Sequence, residues 1–421
     1  MMRPIIVIHQ ARWVIPMNGW IISQGAVAVA GDRILAVGPA GEIRRRASDG
    51  ELGQGEVRYY DHGQGAIMPA LINTHTHLEF SGLRQAIPPQ TNLPDWLQAA
   101  ISRFHRLTPE EIDQGVRQGI AEMRRFGVVL AGEVSNTGRS LPLLQNSPLE
   151  FHYFYECLGF NLLSQGPLED DFPFLNRMAG ADVPLSAAAH SPYAVSAPLF
   201  QRISAWNRRW ARPGSVHLAE SREERDFLSQ GDGSFRELLI RRGRWYEGYI
   251  PPGCSAAVYL DRLGFWNESV LAVHGVWLDP QEQEILARRG VWLALCPRSN
   301  LYTGVGLPDL PALQRAGIKL TLGTDSLASV PDLNLFQEIK VLQGHFPEIP
   351  LPDIFLMTIG NGAAALNRSH DFGSLTPGKK AALLFLPLSS GAPLWPALLE
   401  AGVQGRISWL TQTGKEFADG N

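Results

Sequence analysis

Ala66-Ile67-Met68-Pro69-Ala70-Leu71-Ile72 runs uncharged into Asn73-Thr74-His75-Thr76-His77, and the reading of this stretch decides the fold. The apolar part reads as a buried strand. On a strand, residues two apart point to the same face, so His75 and His77 aim at one point, about as far apart as two ligands of one metal ion. His-x-His at a strand end therefore proposes a metal site, while a surface or core pair is the competing reading of that motif alone.

Three later segments repeat the arrangement, each a short apolar run closed by a polar cluster. Ser215-Val216-His217 continues into Leu218-Ala219-Glu220, Val270-Leu271-Ala272-Val273 leads into His274-Gly275, and Leu320-Thr321-Leu322-Gly323 leads into Thr324-Asp325-Ser326. Three histidines and a carboxylate suit Zn²⁺ or Fe²⁺ with a position open for water. A catalytic ion is favoured over a structural one.

The chain between these clusters alternates helix and strand. Arg124-Arg125-Phe126-Gly127 runs into Val128-Val129-Leu130, Ala287-Arg288-Arg289-Gly290 into Val291-Trp292-Leu293, and Gln314-Arg315-Ala316-Gly317 into Ile318-Lys319-Leu320. Glycine suits the left-handed turn past a helix, and basic residues in the last turn suit the helix dipole. Thr108-Pro109-Glu110-Glu111 and Asp279-Pro280-Gln281-Glu282 read as capping boxes with proline in the first turn. Short loops between many such units predict a closed parallel sheet. Before residue 66 the pattern changes: Gly25–Ala30 and Ile34–Gly38 flank Gly31-Asp32-Arg33 as a hairpin. After about residue 371 short strands return, including Ala381–Leu386. The expected fold class is α/β, a distorted (β/α)8 TIM barrel over 66–370, with a small β-sandwich domain built from both chain ends, 1–65 and 371–421.

Composition narrows the function. The 421 residues are 45% hydrophobic and 19% charged, with a net charge of −4, which gives no electrostatic case for nucleic acid or an anionic membrane. The apolar run in Met1-Met2-Arg3-Pro4-Ile5-Ile6 is too short for a secretory leader and no stretch approaches a membrane span, so a cytoplasmic enzyme with a small-molecule substrate is expected. A homodimer is the assembly envisaged. Cys157, Cys254 and Cys296 lack ligand or disulfide spacing.

The succession Pro69–His77, His217-Leu218-Ala219-Glu220, Val273-His274-Gly275 and Gly323-Thr324-Asp325-Ser326 resembles the amidohydrolase superfamily, within it the branch of adenine-nucleoside and heterocycle deaminases and chlorohydrolases. Cys296-Pro297-Arg298-Ser299-Asn300 and Gly373–Lys380 are similar to that branch's strand-seven segment and its return to a small β-domain. The likeness covers nearly the whole chain; Ala382 stands where the family usually has Asp, away from the chemistry. It implies an aminohydrolase holding one divalent ion, zinc first and iron second, through His75, His77, His217 and Asp325. It further implies that Asp325 accepts a proton from the metal-activated water attacking the ring carbon, that Glu220 shuttles a proton to the ring nitrogen and the departing ammonia, and that His274 stabilises charge on the attacking oxygen. A second ion bridged by a carbamylated lysine is excluded, because the first lysine is Lys319. Glu133 is the one bridging carboxylate considered, and a structural hydrogen bond is the preferred reading of it.

Substrate is less legible. Leu78-Glu79-Phe80-Ser81 after His77, with Asp95-Trp96-Leu97 and Ser221 after Glu220, looks like the aminodeoxyfutalosine deaminases of menaquinone biosynthesis. On that likeness Glu79 would hold ribose hydroxyls and one of Arg84, Arg139 or Arg298 would pair with a benzoate carboxylate. His190-Ser191-Pro192-Tyr193 is similar to a segment that touches substrate in related deaminases, which is preferred for His190 over a satisfied core histidine, while Arg84 and Trp96 either touch substrate or pack the loop over the site. Alternatives are a methylthioadenosine/adenosylhomocysteine or guanine deaminase, a triazine-type chlorohydrolase, or, in another class, an inactive barrel scaffold. Arg222 and Arg225 read as solvated helix surface. His62, His105, His152, His345 and His370 read as structural.

Overall fold

The computed structural model describes residues 5–90, 92–178, 181, 183–411 and 414–417; Met1–Pro4, part of the segment judged too short for a leader, lie outside the described residues. The chain divides into two compact units, one of Met1–Ile72, Ala121–Val129 and Asn334–Asn421, the other of Asn73–Ile120 and Leu130–Leu333.

One sheet has eight strands in the order in which the chain makes them: Leu71–Thr76, Val128–Ser135, Glu150–Cys157, Leu185–Ala189, Gly214–Leu218, Val270–His274, Trp292–Leu295 and Lys319–Leu322. Its registered pairs are parallel, and a parallel bridge from Thr76 to Asp325 joins the first strand to the segment after the last. This is the (β/α)8 barrel. Helices start where the sequence places caps. Thr108 and Glu111 exchange both capping-box bonds ahead of the helix Pro109–Arg125, and Asp279 and Glu282 do so ahead of Pro280–Arg289. They end at Gly127, Gly290 and Gly317, all with φ between +67° and +78°, a region that costs other residues a Cβ clash.

The second sheet is mixed and built from the chain ends. Gly414–Phe417, Ser408–Thr411, Leu383–Pro387, Gly65–Pro69, Ile5–Val14, Ile22–Ala30 and Arg33–Pro39 lie in that order, with Glu56–Asp61 also paired to Ile5–Val14. Alternation sorts its side chains: Val7, Val27 and Val29 join one core cluster, Ile6, Ile8, Ala26 and Ala28 another. The hairpin turns at Gly31-Asp32, as expected. Two readings shift. The apolar run 66–72 is shared between the sheets: Ile67 and Met68 pair with Phe385 and Leu384, and Leu71 begins the barrel. The late strand starts at Leu383, not Ala381, because the Ala381 amide turns to the Asp32 carbonyl and the Ala382 carbonyl accepts from Ala70.

Among the described residues no helix is long and apolar enough to cross a membrane.

Candidate functional site

The pentapeptide Asn73–His77 works on both faces of its strand. Thr74 Oγ1 donates to the Leu322 carbonyl at 2.9 Å and Thr76 Oγ1 to the Asp325 carbonyl at 2.9 Å. Asn73 grips Thr324 twice, Nδ2 to Oγ1 at 2.7 Å and Oδ1 from the amide at 3.1 Å. The amides of Thr324 and Asp325 both donate to the His75 carbonyl at 3.1 Å. At Gly323 a Cβ would lie 2.7 Å from that same carbonyl oxygen, so only glycine lets the last strand approach the first this closely. His75, His77 and Asp325 are thereby brought together by main-chain bonding across one seam.

Their donor atoms converge. His77 Nε2 lies 3.3 Å from His217 Nε2, and Asp325 Oδ1 lies 3.9 Å from His75 Nε2 and 3.8 Å from His77 Nε2. A tetrahedral Zn²⁺ with bonds of about 2.0–2.1 Å sets its donors roughly 3.3 Å apart. Among the described residues, His75–His77–Asp325 and His75–His217–His274 are groups able to hold an ion. Both ring nitrogens of His75 are buried without a hydrogen-bond partner, a costly state for a polar side chain unless a cation is its partner. His217 Nδ1 donates to the His190 carbonyl at 2.7 Å, which leaves its Nε2 lone pair facing the cluster. Asp325 Oδ2 accepts from Ser299 Oγ at 2.5 Å, which leaves Oδ1 for the cluster. Burial, then the neighbouring histidines, hold His75 and His217 well below ordinary imidazole basicity. Neutral imidazoles are the metal-binding form, so the residues present fit a divalent ion.

Beside this group, Glu220 Oε2 lies 3.7 Å from His274 Nε2. Burial, and next the charge of Asp325, push the Glu220 carboxyl up to about 8, which favours its uncharged form. His274 Nδ1 donates to Asn300 Oδ1 at 2.8 Å, and burial lowers its basicity. Ala219, His274 and Asp325 all have φ between +47° and +74°, a left-handed backbone rare outside glycine and concentrated at functional sites. All three lie at or just past the C-terminal end of a barrel strand.

The substrate-side expectations divide. His190 sits at the end of the fourth strand, its Nδ1 donating to Glu156 Oε1 at 2.7 Å and its Nε2 3.4 Å from the Tyr193 hydroxyl. Burial works against the charge on His190, yet the Glu156 carboxylate keeps its pKa raised; burial likewise opposes the charge on Glu156, yet His190 holds that carboxyl down to about 2. Glu79 is buried, with four bonds on Oε1: Ser135 Oγ, Thr137 Oγ1 and the amides of Arg139 and Ser140, at 2.6–3.0 Å. Trp96 is buried with its indole N–H unpartnered. The three arginines are engaged internally: Arg84 donates to the Pro331 carbonyl, Arg139 makes a forked pair with Asp113, and Arg298 binds the Asp332 carboxylate and carbonyl. Glu133 accepts the Leu78 amide at 2.9 Å and, among the described residues, stands in none of the groups able to hold an ion; burial raises its pKa well above normal.

Several residues around the cluster were given no role by sequence reasoning. Ser299 and Asn300 lay inside a segment noted only for its likeness, and Glu156 in the aromatic run Phe154-Tyr155-Glu156-Cys157. A carboxylate at the end of a barrel strand was the available signal for Glu156. Arg225 corrects an expectation: it is no simple solvated surface residue, because Nη2 reaches the Trp277 carbonyl at 2.9 Å and the buried Glu282 at 2.8 Å. Arg222 is solvated as expected. His62, set aside as having no partner spacing, meets His9 at 3.0 Å, and His152 meets Ser186 at 2.7 Å.

The chain is similar to known deaminases in sequence and in fold. A 5-methylthioadenosine/S-adenosylhomocysteine deaminase of Moorella thermoacetica is 26% identical over 412 residues, covering 93% of this chain and 87% of that protein. A 5'-deoxyadenosine deaminase of Methanothrix thermoacetophila is 29% identical over 342 residues, covering 77% and 71%. The crystal structure of Helicobacter pylori aminofutalosine deaminase in complex with methylthio-coformycin shares the fold, with a TM-score of 0.82, 21% identity and coverage of 97% and 99%. The model of the Amidohydrolase family matches residues 66–395, a span holding every residue of the convergent cluster, and the chain therefore belongs to the amidohydrolase family of hydrolytic enzymes.

Proposed function

We propose that this chain is a hydrolytic deaminase of an adenine-type nucleoside, holding one divalent ion, zinc before iron, through His75, His77, His217 and Asp325. The observation that carries the reading is the convergence of these donors beside a buried Glu220 whose carboxyl lies 3.7 Å from His274. Bound there, the ion supplies Lewis acidity that lowers the pKa of a water toward neutrality. The side chains supply the rest. Glu220 gives its proton to the ring nitrogen as the amino-bearing carbon is attacked, then takes the proton of the added hydroxyl as that becomes the carbonyl and passes it to the leaving ammonia; the proton that Asp325 took from the water restores Glu220. Asp325 accepts a proton from the attacking water, held in orientation by Ser299. His274, fixed by Asn300 and facing Glu220, stabilises charge on the attacking oxygen. His190, oriented by Glu156, presents its Nε2 side to the substrate, and Glu79 and Trp96 line the approach.

Within this class the Leu78-Glu79-Phe80-Ser81 pattern supports aminodeoxyfutalosine as the substrate, which would place the reaction in menaquinone biosynthesis. The internal engagement of Arg84, Arg139 and Arg298 does not add to that support, since a substrate carboxylate would compete with Asp113 or Asp332 for two of them. The second reading, deamination of methylthioadenosine or adenosylhomocysteine, is favoured by the names of the sequence relatives. Ammonia release by the zinc-loaded chain on aminodeoxyfutalosine, methylthioadenosine, adenosylhomocysteine, adenosine, guanine and a chlorinated triazine tests both. Selective turnover of the first, lost in Glu220→Gln, is the expected result. Preference for the sulfur-containing nucleosides would replace it with the second reading, and a chain that binds no zinc would remove both.

A further inference from the structure

Among the described residues, three helices begin with a hydroxyl or carboxylate cap followed three residues later by glutamate, and one of them departs from the pattern. Glu111 Oε2 reaches back to the Thr108 amide at 2.7 Å, and Glu282 Oε2 to the Asp279 amide at 3.1 Å, the usual capping-box bond to the N-cap residue. In the helix Arg222–Gln230, Ser221 caps by accepting the Glu224 amide. Glu224 instead sends its carboxylate past Ser221, Oε1 taking the Ala219 amide at 3.2 Å and Oε2 the Glu220 amide at 3.0 Å. Ala219 is the residue with φ +47°, a conformation in which the Cβ of any L-residue crowds the following carbonyl. Its own carbonyl is held by the Trp277 amide at 2.9 Å. Glu224 is 1% exposed, so its carboxylate is committed to these two amides.

We infer that Glu224 is a positioning residue which clamps the left-handed turn at Ala219 and so sets where the Glu220 carboxyl stands relative to His217 and His274. The inference rests on the acid–base role proposed for Glu220. With the clamp in place both amides have acceptors and the strained turn is held. Glutamine keeps one acceptor oxygen and turns an amide group toward the other N–H, so the turn relaxes and carries Glu220 away. Glycine at 219 removes the Cβ conflict, so the turn no longer needs holding.

The test compares kcat and KM of the zinc-loaded full chain, on the nucleoside it turns over best, for the parent, Glu220→Gln, Ala219→Gly, Glu224→Gln and the Ala219→Gly/Glu224→Gln double variant. Displacement of a reacting group by an ångström costs on the order of 100-fold. Glu224→Gln is expected to lose roughly 10- to 100-fold in kcat, with KM and zinc stoichiometry little changed. The double variant is expected to return most of the way to the Ala219→Gly level. A general weakening of the helix would depress thermal stability without such rescue. If Glu224→Gln does not fold, Glu224→Asp, whose shorter side chain withdraws the carboxylate, replaces it in the same comparison. A folded, zinc-loaded Glu224 variant within about twofold of the parent, or a loss that Ala219→Gly leaves unrestored, overturns the clamp. Full turnover by Glu220→Gln overturns the acid–base assignment beneath it, so the two failures are told apart.

Discussion

His9 in the chain-end sheet and His75 in the barrel are both 0% exposed, and burial is the largest cause holding each below ordinary imidazole basicity, His9 down to about 3. Each keeps a buried ring nitrogen without a hydrogen-bond partner. Their surroundings separate them. His9 has His62 at 3.0 Å and Tyr60 stacked at 5.8 Å, and among the described residues no group of three donor side chains forms there. His75 stands where donors from four strand ends meet, several with a second hydrogen bond fixing which atom faces inward. Burial alone makes a histidine neutral; convergence of oriented lone pairs makes it part of a site.

The hardest test of that contrast is loss of metal. His217→Ala should strip the protein of stoichiometric zinc and of deaminase activity, whereas His9→Phe should leave the zinc content measured by elemental analysis at the parent value. A zinc-free His9→Phe protein would erase the distinction. Next in size is Glu220→Gln, expected to lower kcat by on the order of 10²–10⁴ with zinc retained; loss of zinc instead would make Glu220 a ligand. Asn300→Ala frees His274 and should cost about 10- to 100-fold in activity or metal affinity, measured by steady-state kinetics and chelator competition. No effect would show that His274 is oriented by burial alone.

The smallest effect concerns pH. Unfolded His9 takes up a proton near 6.5, whereas the folded protein resists until about 3. Between these values the unfolded state binds more protons, so stability falls as pH drops through that window, by at most about 1.4 kcal/mol per unit from this residue. In urea titrations at pH 4.5–7, His9→Phe should show a shallower acid decline than the parent. Equal slopes would mean that the site histidines alone carry the acid sensitivity.

The parts of the molecule legible beforehand were those with a local rule. Capping boxes at Thr108 and Asp279 and the glycines after Phe126, Arg289 and Ala316 each follow from the chemistry of one turn, and strand ends carrying His217, His274 and Asp325 follow from apolar runs closed by polar clusters. What stayed hidden depends on strands meeting. Ser299 gains meaning only when Asp325 is found 2.5 Å away, and Glu156 only when His190 from the next strand reaches it. Arg225 reads as surface from its own neighbourhood because its partners, the Trp277 carbonyl and Glu282, lie 52 and 57 residues later. The arginines weighed as carboxylate binders illustrate the limit, since nothing near Arg139 in sequence announces Asp113.

The seam between Asn73–His77 and Leu322–Asp325 joins residues as much as 251 positions apart. Contacts of that sequence separation form late, after nearly all the loop-closure entropy has been overcome. Three of the four proposed donors, His75, His77 and Asp325, therefore do not exist as a set until the barrel has shut, and an ion held by them would draw its binding strength from the closed state. A zinc ion held there would act as a clasp on the finished fold. In the chelated protein the amides of Thr324 and Asp325 should be the first of the barrel to exchange with deuterium, and zinc should slow them more than any amide of the chain-end sheet.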